Sequence, residues 1–351
     1  MKKIITVLLV VALLFSMAAC AGTSAKNDKF VGISMPTQDL QRWNQDGANM
    51  KEKFEAAGYK VDLQYANNEV ATQVSQIENM ISAGVKVLVI AAIDGKTLTE
   101  VLGTAKEAGI YVIAYDRLIM DTDAVSYYCT FDNYMVGTIQ GQYIKDSLKL
   151  DEGGKYNIEI TAGDPADNNA LYFYQGAIDV LQTYIDSGVL TVVSGQVKFD
   201  EVATPAWSTE TSQNRMEAIL ASYYADGTQL DACLCSNDST AKGVTNALAS
   251  SYTGKYPIVT GQDCDIANTK DIIAGKQSMS IFEDTRTLAA QTVTMVSDLL
   301  AGKTPEVNDT KSYDNGTGII PTYLCAPVFA DINNYKELLI DSGYYTEDQL
   351  K

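Results

Sequence analysis

A set of planar polar groups and flat aromatic rings gives this sequence its clearest chemistry. The set comprises Arg42, Trp43, Asp94, Asp116, Arg117, Asn168, Asn169, Trp207, Asn237, Asp238, Gln262 and Asp263. Carboxylate, amide and guanidinium groups suit hydroxyl groups, because a hydroxyl both donates and accepts hydrogen bonds. An indole suits the apolar C–H face of a sugar ring, and both Trp residues of the chain belong to this set. The combination predicts a site for a polyhydroxylated ligand.

These residues follow the strands of a predicted α/β fold. The segments "AAGYKVDLQYA", "SAGVKVLVIAAID" and "EAGIYVIAYDR" each end a helix with Gly and continue as an apolar strand. Gly58, Gly84 and Gly109 accept the left-handed conformation that closes a helix. Amphipathic stretches such as "ATQVSQIENMISAG" lie between them. Alternating strands and helices predict parallel sheets, which bind ligands beyond the carboxyl ends of their strands.

The same pattern restarts after "SYYCTFDN" and predicts a second α/β lobe. Its strands are predicted in "YNIEITAG", "VLTVVSGQ", "LDACLCSND" and "YPIVTGQD". A late helix is predicted in "TRTLAAQTVTMVSDLLAG", a last strand region in "IIPTYLCAPVFA" and a short final helix in "NNYKELLIDSG".

Each candidate residue also has an ordinary explanation. A single Trp is more often a core residue, and Asp116-Arg117 alone would fit a solvated turn. Asn237 would cap the helix that follows it, and Asp94-Gly95 would form a tight turn. The occurrence of such groups at successive strand ends favours the ligand site.

Composition excludes several classes of function. The formal net charge is −18, and such a surface repels nucleic acid and anionic lipid. The chain has no His, so it lacks the commonest general base and metal ligand; we expect no cofactor and no metal. Five cysteines follow Cys20, and they are Cys129, Cys233, Cys235, Cys264 and Cys325. An odd number of cysteines argues against a complete disulfide framework.

The first residues read as an export signal. Residues 1–19 combine Lys2 and Lys3 with an apolar run and a small-residue cleavage zone. Cys20 at the cleavage point resembles the lipid-modified first residue of bacterial lipoproteins, and ordinary cleavage is the alternative. Residues 20–29 read as a polar tether. We therefore expect an extracytoplasmic protein held at the membrane by a lipid on Cys20.

Longer motifs carry a resemblance to a known family. "VGISMPTQDLQRWNQDG", "VIAYDRLI", "YYCTFDN", "VTGQD", "IFEDTR" and "VNDTKSYDNG" resemble the ribose- and galactose-binding proteins of bacterial ATP-driven (ABC) sugar importers, type I periplasmic binding proteins. The resemblance covers residues 29–351. It implies sugar contacts at Arg42, Trp43, Asp94, Asp116, Arg117, Asn168, Asn169, Trp207, Asn237 and Asp263, with Gln262 beside the last.

The resemblance also implies two Rossmann-like lobes that close on a sugar around a hinge crossed three times. We expect residues 30–131 plus 284–318 in the N-terminal lobe, and 132–283 plus 319–351 in the C-terminal lobe. The crossings are expected near 130–133, 281–284 and 318–323. The implied partners are a monosaccharide and an ABC permease, and we expect a monomer.

Two other functions stay open from the sequence. One is a sensor that presents a bound sugar to a chemoreceptor or sensor kinase. The other is an enzyme acting on sugars, since paired carboxylates can hydrolyse glycosides, although no GxSxG, HExxH or P-loop pattern is present.

The predicted ligand is a neutral aldose in pyranose form, such as glucose, galactose, xylose or arabinose. Relatives carry Arg directly before the second Trp, where this chain has Ala206. The pocket therefore has one cation fewer, and its carboxylates disfavour a uronic acid.

Overall fold

The predicted alternation of strands and helices is confirmed by the structure, a computed structural model that describes residues 29–351. The export signal, Cys20 and nearly all of the tether lie outside the described residues. The strands are β1 (Phe30–Met35), β2 (Lys60–Tyr65), β3 (Val87–Ile90), β4 (Tyr111–Tyr115), β5 (Tyr127–Phe131), β6 (Tyr156–Thr161), β7 (Leu190–Val192), β8 (Ala232–Cys235), β9 (Ile258–Val259), β10 (Met279–Phe282), β11 (Thr322–Cys325) and β12 (Val328–Asp331).

The helices are α1 (Gln41–Ala56), α2 (Val70–Ser82), α3 (Thr99–Glu107), α4 (Asn133–Leu148), α5 (Asn168–Asp186), α6 (Phe199–Val202), α7 (Thr209–Tyr223), α8 (Asp238–Ser251), α9 (Ile266–Ile273) and α10 (Thr285–Leu300). The predicted final helix is a π-helical segment, Lys336–Asp341. Within residues 29–351, no helix has the length and apolar character needed to cross a membrane.

Two parallel sheets form the centres of the two lobes. The first has the order β11-β5-β4-β3-β1-β2 and the second the order β7-β6-β8-β9. The packing of strand β3 explains why its sequence is apolar throughout. Val87 and Val89 pack with α1 and α10 on one face, while Leu88 and Ile90 pack with α2 and α3 on the other. A strand covered on both faces has no solvent side that would need polar residues.

The helix-ending glycines adopt the predicted backbone conformation. The φ angles are 81° at Gly58, 82° at Gly84 and 71° at Gly109. A side chain is disfavoured there because its Cβ approaches the carbonyl oxygen in the left-handed region. These three residues therefore set the length of the first three helices.

The predicted boundary at residue 318 is wrong. Strand β11 pairs in parallel with β5, with Tyr323 opposite Cys129, so the N-terminal lobe extends to Cys325. The apolar segment "IIPTYLCAPVFA" is two strands in different sheets, because β12 pairs antiparallel with β10. The third crossing accordingly lies at Ala326–Pro327, after the predicted 318–323.

The other two crossings join elements of different lobes over a few residues. The chain passes from β5 to α4 around Asp132, whose side chain accepts a hydrogen bond from the Met135 backbone N–H. It returns from β10 to α10 through Glu283 and Asp284. The five described cysteines are buried and unpaired, and Cys233 and Cys235 pack in the same core cluster.

The strand order of each sheet reverses at one point, and both reversals face the same cleft. In the first sheet the chain runs outward from β1 to β2 on one side and from β3 to β5 on the other. In the second sheet β6 lies between β7 and β8. Loops diverge where the order reverses, and this leaves a crevice at the carboxyl ends of the strands.

Helices α4 and α5 pack so closely that glycine is required between them. A Cβ on Gly137 would lie 1.9 Å from the Phe173 carbonyl oxygen, and one on Gly176 would lie 2.1 Å from the Tyr134 carbonyl oxygen. Both contacts are with backbone atoms, which cannot rotate away as a side chain can.

We expect Gly137→Ala to lower the free energy of unfolding by about 1–3 kcal/mol, because the helices must separate. The matched control is Gly103→Ala in α3, where a Cβ would have no atom within 4 Å. That change should raise the free energy of unfolding by about 0.5–1 kcal/mol, since glycine is a poor helix former. Urea unfolding measures both, and equal effects would contradict the close approach.

Candidate functional site

A cavity lies in the cleft between the two lobes. It is lined by Leu40, Arg42, Trp43, Asp116, Arg117, Asp167, Asn169, Phe173, Trp207, Asn237, Ser239, Gln262, Asp263 and Asp265. Both lobes contribute, so a bound ligand would touch both at once.

Arg42 is the charged centre of this cleft. Its guanidinium pairs with Asp46 at 3.2 Å, with Asp263 at 3.3 Å and with Glu283 at 2.5 Å, and it also bonds Asp116. The group is only 8% exposed. These partners lie in α1, at the ends of β4 and β10, and in the loop after β9. The Arg42 side chain therefore connects the two lobes and one of the crossings between them.

Burial shifts the pKa values of this cluster. It raises the pKa of Asp46 to about 7 and that of Glu283 to about 8, against the opposing charge of Arg42. Burial also raises the pKa of Asp263 and raises that of Asp265 to about 7. For Arg42, burial lowers the pKa, but the surrounding carboxylates prevail and hold it well above its usual value. The cluster therefore has more acid groups than one guanidinium neutralises.

Two guanidinium groups lie close to the Trp43 ring. The Arg42 carbon Cζ is 5.3 Å from the ring centroid and that of Arg117 is 4.9 Å away. Arg117 also donates to the Ala92 carbonyl at 3.0 Å. These contacts fix the indole at the first lobe's side of the cavity.

The Asp116 backbone explains why a buried strand ends in charged residues. Asp116 has a φ of 62°, and its carbonyl oxygen accepts hydrogen bonds from Tyr128 at 2.5 Å, Thr130 at 2.9 Å and Asn169 at 2.7 Å. Asn169 belongs to the second lobe, and its Oδ1 accepts from Asn133 at 3.0 Å. The turn is therefore held by both lobes, and it places the Asp116 and Arg117 side chains against the cavity.

The second lobe contributes an aromatic wall. Trp207 follows the short helix α6 with a φ of 54°, and its ring lies so close to Gly163 that a Cβ there would be 1.9 Å from it. Phe173 is beside it, with ring centroids 6.4 Å apart. The carbonyl oxygen of Trp207 accepts a hydrogen bond from Ser239 at 2.8 Å.

Asn237 combines the helix-capping role with a place in the cavity. Its Oδ1 accepts from the Thr240 backbone N–H at 3.0 Å, and its Nδ2 lies 3.4 Å from Asp263 Oδ2. Asp238 is instead fully buried against Gln277 and Ser280, and burial raises its pKa well above the usual value. Asp238 is therefore a structural residue of α8 that does not line the cavity.

Several buried polar atoms of the cavity lining have no hydrogen-bond partner among residues 29–351. They are Trp207 Nε1, Gln262 Oε1 and Asp265 Oδ1; Arg117 Nε is instead ion-paired with Asp167 at 2.9 Å. An unpaired buried donor or acceptor costs about 1–3 kcal/mol. Their convergence on one cavity indicates a place for a ligand with both donors and acceptors. In the same residues there is no group of His, Cys, Asp and Glu suited to a metal ion.

Of the ten sugar contacts that the resemblance implies, the structure brings eight together around this cavity. Asp94 and Asn168 do not line this cavity; they line a neighbouring one. Asp94 Oδ1 accepts from the Lys96 backbone N–H at 2.8 Å, which is the tight turn that its Gly neighbour suggested.

The sequence prediction left Gln262 uncertain and missed five lining residues, which are Leu40, Asp167, Phe173, Ser239 and Asp265. Asp167 caps α5 by accepting from the Asn169 backbone N–H at 3.0 Å, and its position in "DPADNN" after a strand was an available signal. Phe173 lies one helical turn after Asn169 and shares its face.

Known proteins resemble this chain over its whole length. Residues 31–304 match the family described as the periplasmic binding protein domain. The multiple sugar-binding periplasmic receptor ChvE of Rhizobium radiobacter is 49% identical, with 100% of both chains covered. The multiple sugar-binding periplasmic protein SbpA of Azospirillum brasilense is 51% identical over 94% of this chain and 93% of that protein. A solved ABC transporter solute binding protein from Clostridium phytofermentans, with bound β-D-glucose, is 70% identical with a TM-score of 0.91, over 92% of this chain and 100% of that chain.

The acid cluster predicts that stability falls as the pH rises. The folded-state pKa values of Asp46 and Glu283, about 7 and about 8, lie above the ordinary values of 3.8 and 4.5. The stability that these groups contribute is fully present below the ordinary values and is lost as the pH rises through the folded-state values. We expect the free energy of unfolding, measured with urea, to decrease between about pH 5 and about pH 8.5. Glu283→Gln, which cannot titrate, should show a smaller decrease; an identical decrease would exclude Glu283 as a source.

Proposed function

Since this chain belongs to the type I periplasmic binding protein family, we propose that the cavity around Arg42 holds the monosaccharide that the protein delivers to an ABC permease. It is an extracytoplasmic sugar-binding protein, and the sugar is captured between two lobes. One observation carries the placement: the cavity joins aromatic walls from both lobes to buried polar atoms that have no hydrogen-bond partner among residues 29–351.

We propose that eight of the residues named from the sequence contact the sugar. They are Arg42, Trp43, Asp116, Arg117, Asn169, Trp207, Asn237 and Asp263. The carboxylates accept from hydroxyl groups, while Arg117 and the Trp207 N–H donate to hydroxyl or ring oxygens. Trp43 and Trp207 cover ring faces from opposite lobes. Gln262 and Asp265 supply further acceptors.

The proposed ligand is a neutral pyranose, such as glucose, galactose, xylose or arabinose. Arg42 is already surrounded by four carboxylates, and Arg117 lies beside Asp167. A uronic acid would bring another carboxylate to this cluster, where like charges are buried together. The β-D-glucose of the related solved structure supports a neutral ring.

We propose that the protein acts by binding alone and as a monomer. The carboxylates near Arg42 pair with one guanidinium rather than flanking an open space, as two catalytic acids would. Sensing by a chemoreceptor or sensor kinase would use the same bound form.

Asp116→Asn should weaken binding of glucose by about tenfold to a hundredfold, the effect of losing a charged hydrogen-bond partner. Asn also tolerates the left-handed backbone at this position, so the fold should be retained. Calorimetric titration measures the dissociation constant. Asp186→Ala, an exposed change at the end of α5, is the control and should bind as the wild type does. Unchanged affinity of Asp116→Asn would remove Asp116 from the site.

We propose that a lipid on Cys20 anchors the mature protein to the membrane, because "SMAAC" follows an apolar run. Residues 21–28 would then connect the anchor to β1. Mass spectrometry of the protein purified from its native membrane should find a lipid-modified Cys20 as the first residue. A mature chain that begins elsewhere and lacks lipid would exclude the anchor.

A further inference from the structure

A second cavity lies beside the Arg42 cavity and is also lined by both lobes. The first lobe contributes Asp94, Lys96 and Met120, and the second contributes Asn168, Leu171 and Phe199. Asp167 lines both cavities. The two spaces are therefore neighbours in one cleft.

The Asp167 side chain forms the boundary between the two cavities. Its Oδ2 lies 2.9 Å from Arg117 Nε, and its Oδ1 accepts a hydrogen bond from the Asn169 backbone N–H at 3.0 Å. A carboxylate held in this way can also accept hydrogen bonds from the hydroxyl groups of a sugar in either cavity.

The lining of the second cavity has the mixed character that a sugar ring requires. Leu171 is apolar but 47% exposed, and Met120 and Phe199 are half-buried beside it. Phe199 is held in place by an edge contact with Tyr174, with ring centroids 5.6 Å apart. Asp94, Asn168 and Lys96 add a carboxylate, an amide and an ammonium group. Apolar contacts for C–H faces thus stand next to donors and acceptors for hydroxyl groups.

The turn at Asp94 lies against the loop after β4, at the edge of the second cavity. A Cβ on Gly95 would lie 2.7 Å from the Leu118 carbonyl oxygen, so the turn packs directly on the loop after β4. The Met120 backbone N–H donates to the Gly95 carbonyl oxygen at 2.9 Å. These contacts hold Asp94 and Met120 together on the first lobe's side of the cavity.

We propose that the second cavity receives the second unit of a disaccharide or other glycoside whose first ring occupies the Arg42 cavity. Asp167, which lines both cavities, would accept from hydroxyl groups on either side of the linking oxygen. This inference rests on the proposed function, because it requires a sugar ring in the first cavity. It extends the proposed ligand class from single sugars to glycosides. It also assigns contacts with the second sugar unit to Asp94 and Asn168, which do not line the first cavity.

The test compares glucose with cellobiose, maltose and gentiobiose, which join the same units through different linkages. Calorimetric titration of the wild type should detect binding of glucose and of at least one disaccharide. The double variant Lys96→Ala/Leu171→Ala removes one charged donor and one apolar contact from the second cavity alone. It should weaken binding of that disaccharide by about tenfold and leave glucose binding unchanged.

Ile332→Ala is the matched control, because Ile332 is an exposed apolar residue of the second lobe outside both cavities. It should change neither affinity. Glucose binding without binding of any disaccharide would overturn this inference and leave the proposed function intact. So would a disaccharide that binds the double variant as tightly as the wild type, or a loss that is equal for glucose and disaccharide. Failure of glucose, galactose, xylose and arabinose alike would instead overturn the proposed function.

Discussion

The buried Arg42 guanidinium is the interaction on which the arrangement of the cleft depends. A cation this deep in a protein is tolerated only when opposite charges surround it, and here they come from the first lobe, the second lobe and the crossing between β10 and α10. The approach of the two lobes adds Asp263 of the second lobe to the partners that the first lobe and the crossing already supply. The same carboxylates exceed the charge that they neutralise, which leaves acceptors for a ligand rich in hydroxyl groups.

The sheet topology determines where this charge cluster forms. Each sheet reverses its strand order once, and loops from the neighbouring strands diverge at that point. Arg42 follows β1, Asp116 follows β4, and Asn237 follows β8, so the groups meet although they are far apart in the chain. The backbone must turn sharply at these ends, and Asp116, Trp207 and Asp263 all have positive φ angles. The hydrogen bonds around the Asp116 carbonyl oxygen show how the surrounding residues stabilise one such turn.

Much of the fold was predictable because its signals are local. Helix-ending glycines, apolar strands and amphipathic helices each act within a few residues. The third crossing was not predictable in this way. The apolar segment from Ile319 to Ala330 has no internal signal that its first strand pairs with β5 and its second with β10, since pairing depends on distant strands.

The expectation that ligands bind beyond the carboxyl ends of parallel strands identified most of the candidate site, but it could not give distances. It places a residue at one edge of a sheet without specifying which way its side chain points. Asn168 and Asn169 are adjacent in sequence, yet they occupy different sides of α5, and only Asn169 reaches the Arg42 cavity. The Asp94 side chain likewise stays within its own loop, where it accepts a hydrogen bond from the Lys96 backbone N–H. Phe173 was missed because its position depends on the phase of α5 relative to the cleft.

The positions of the two indoles have an optical consequence. The chain contains two Trp residues, and both line the Arg42 cavity, one from each lobe. Two cations lie close to the Trp43 ring, whereas Trp207 packs on Gly163 with its N–H unpartnered among the described residues. Their emission therefore arises wholly at the cleft, in two different electrostatic surroundings. Tryptophan fluorescence, excited at a wavelength that tyrosine does not absorb, therefore reports on the cleft without any engineered probe.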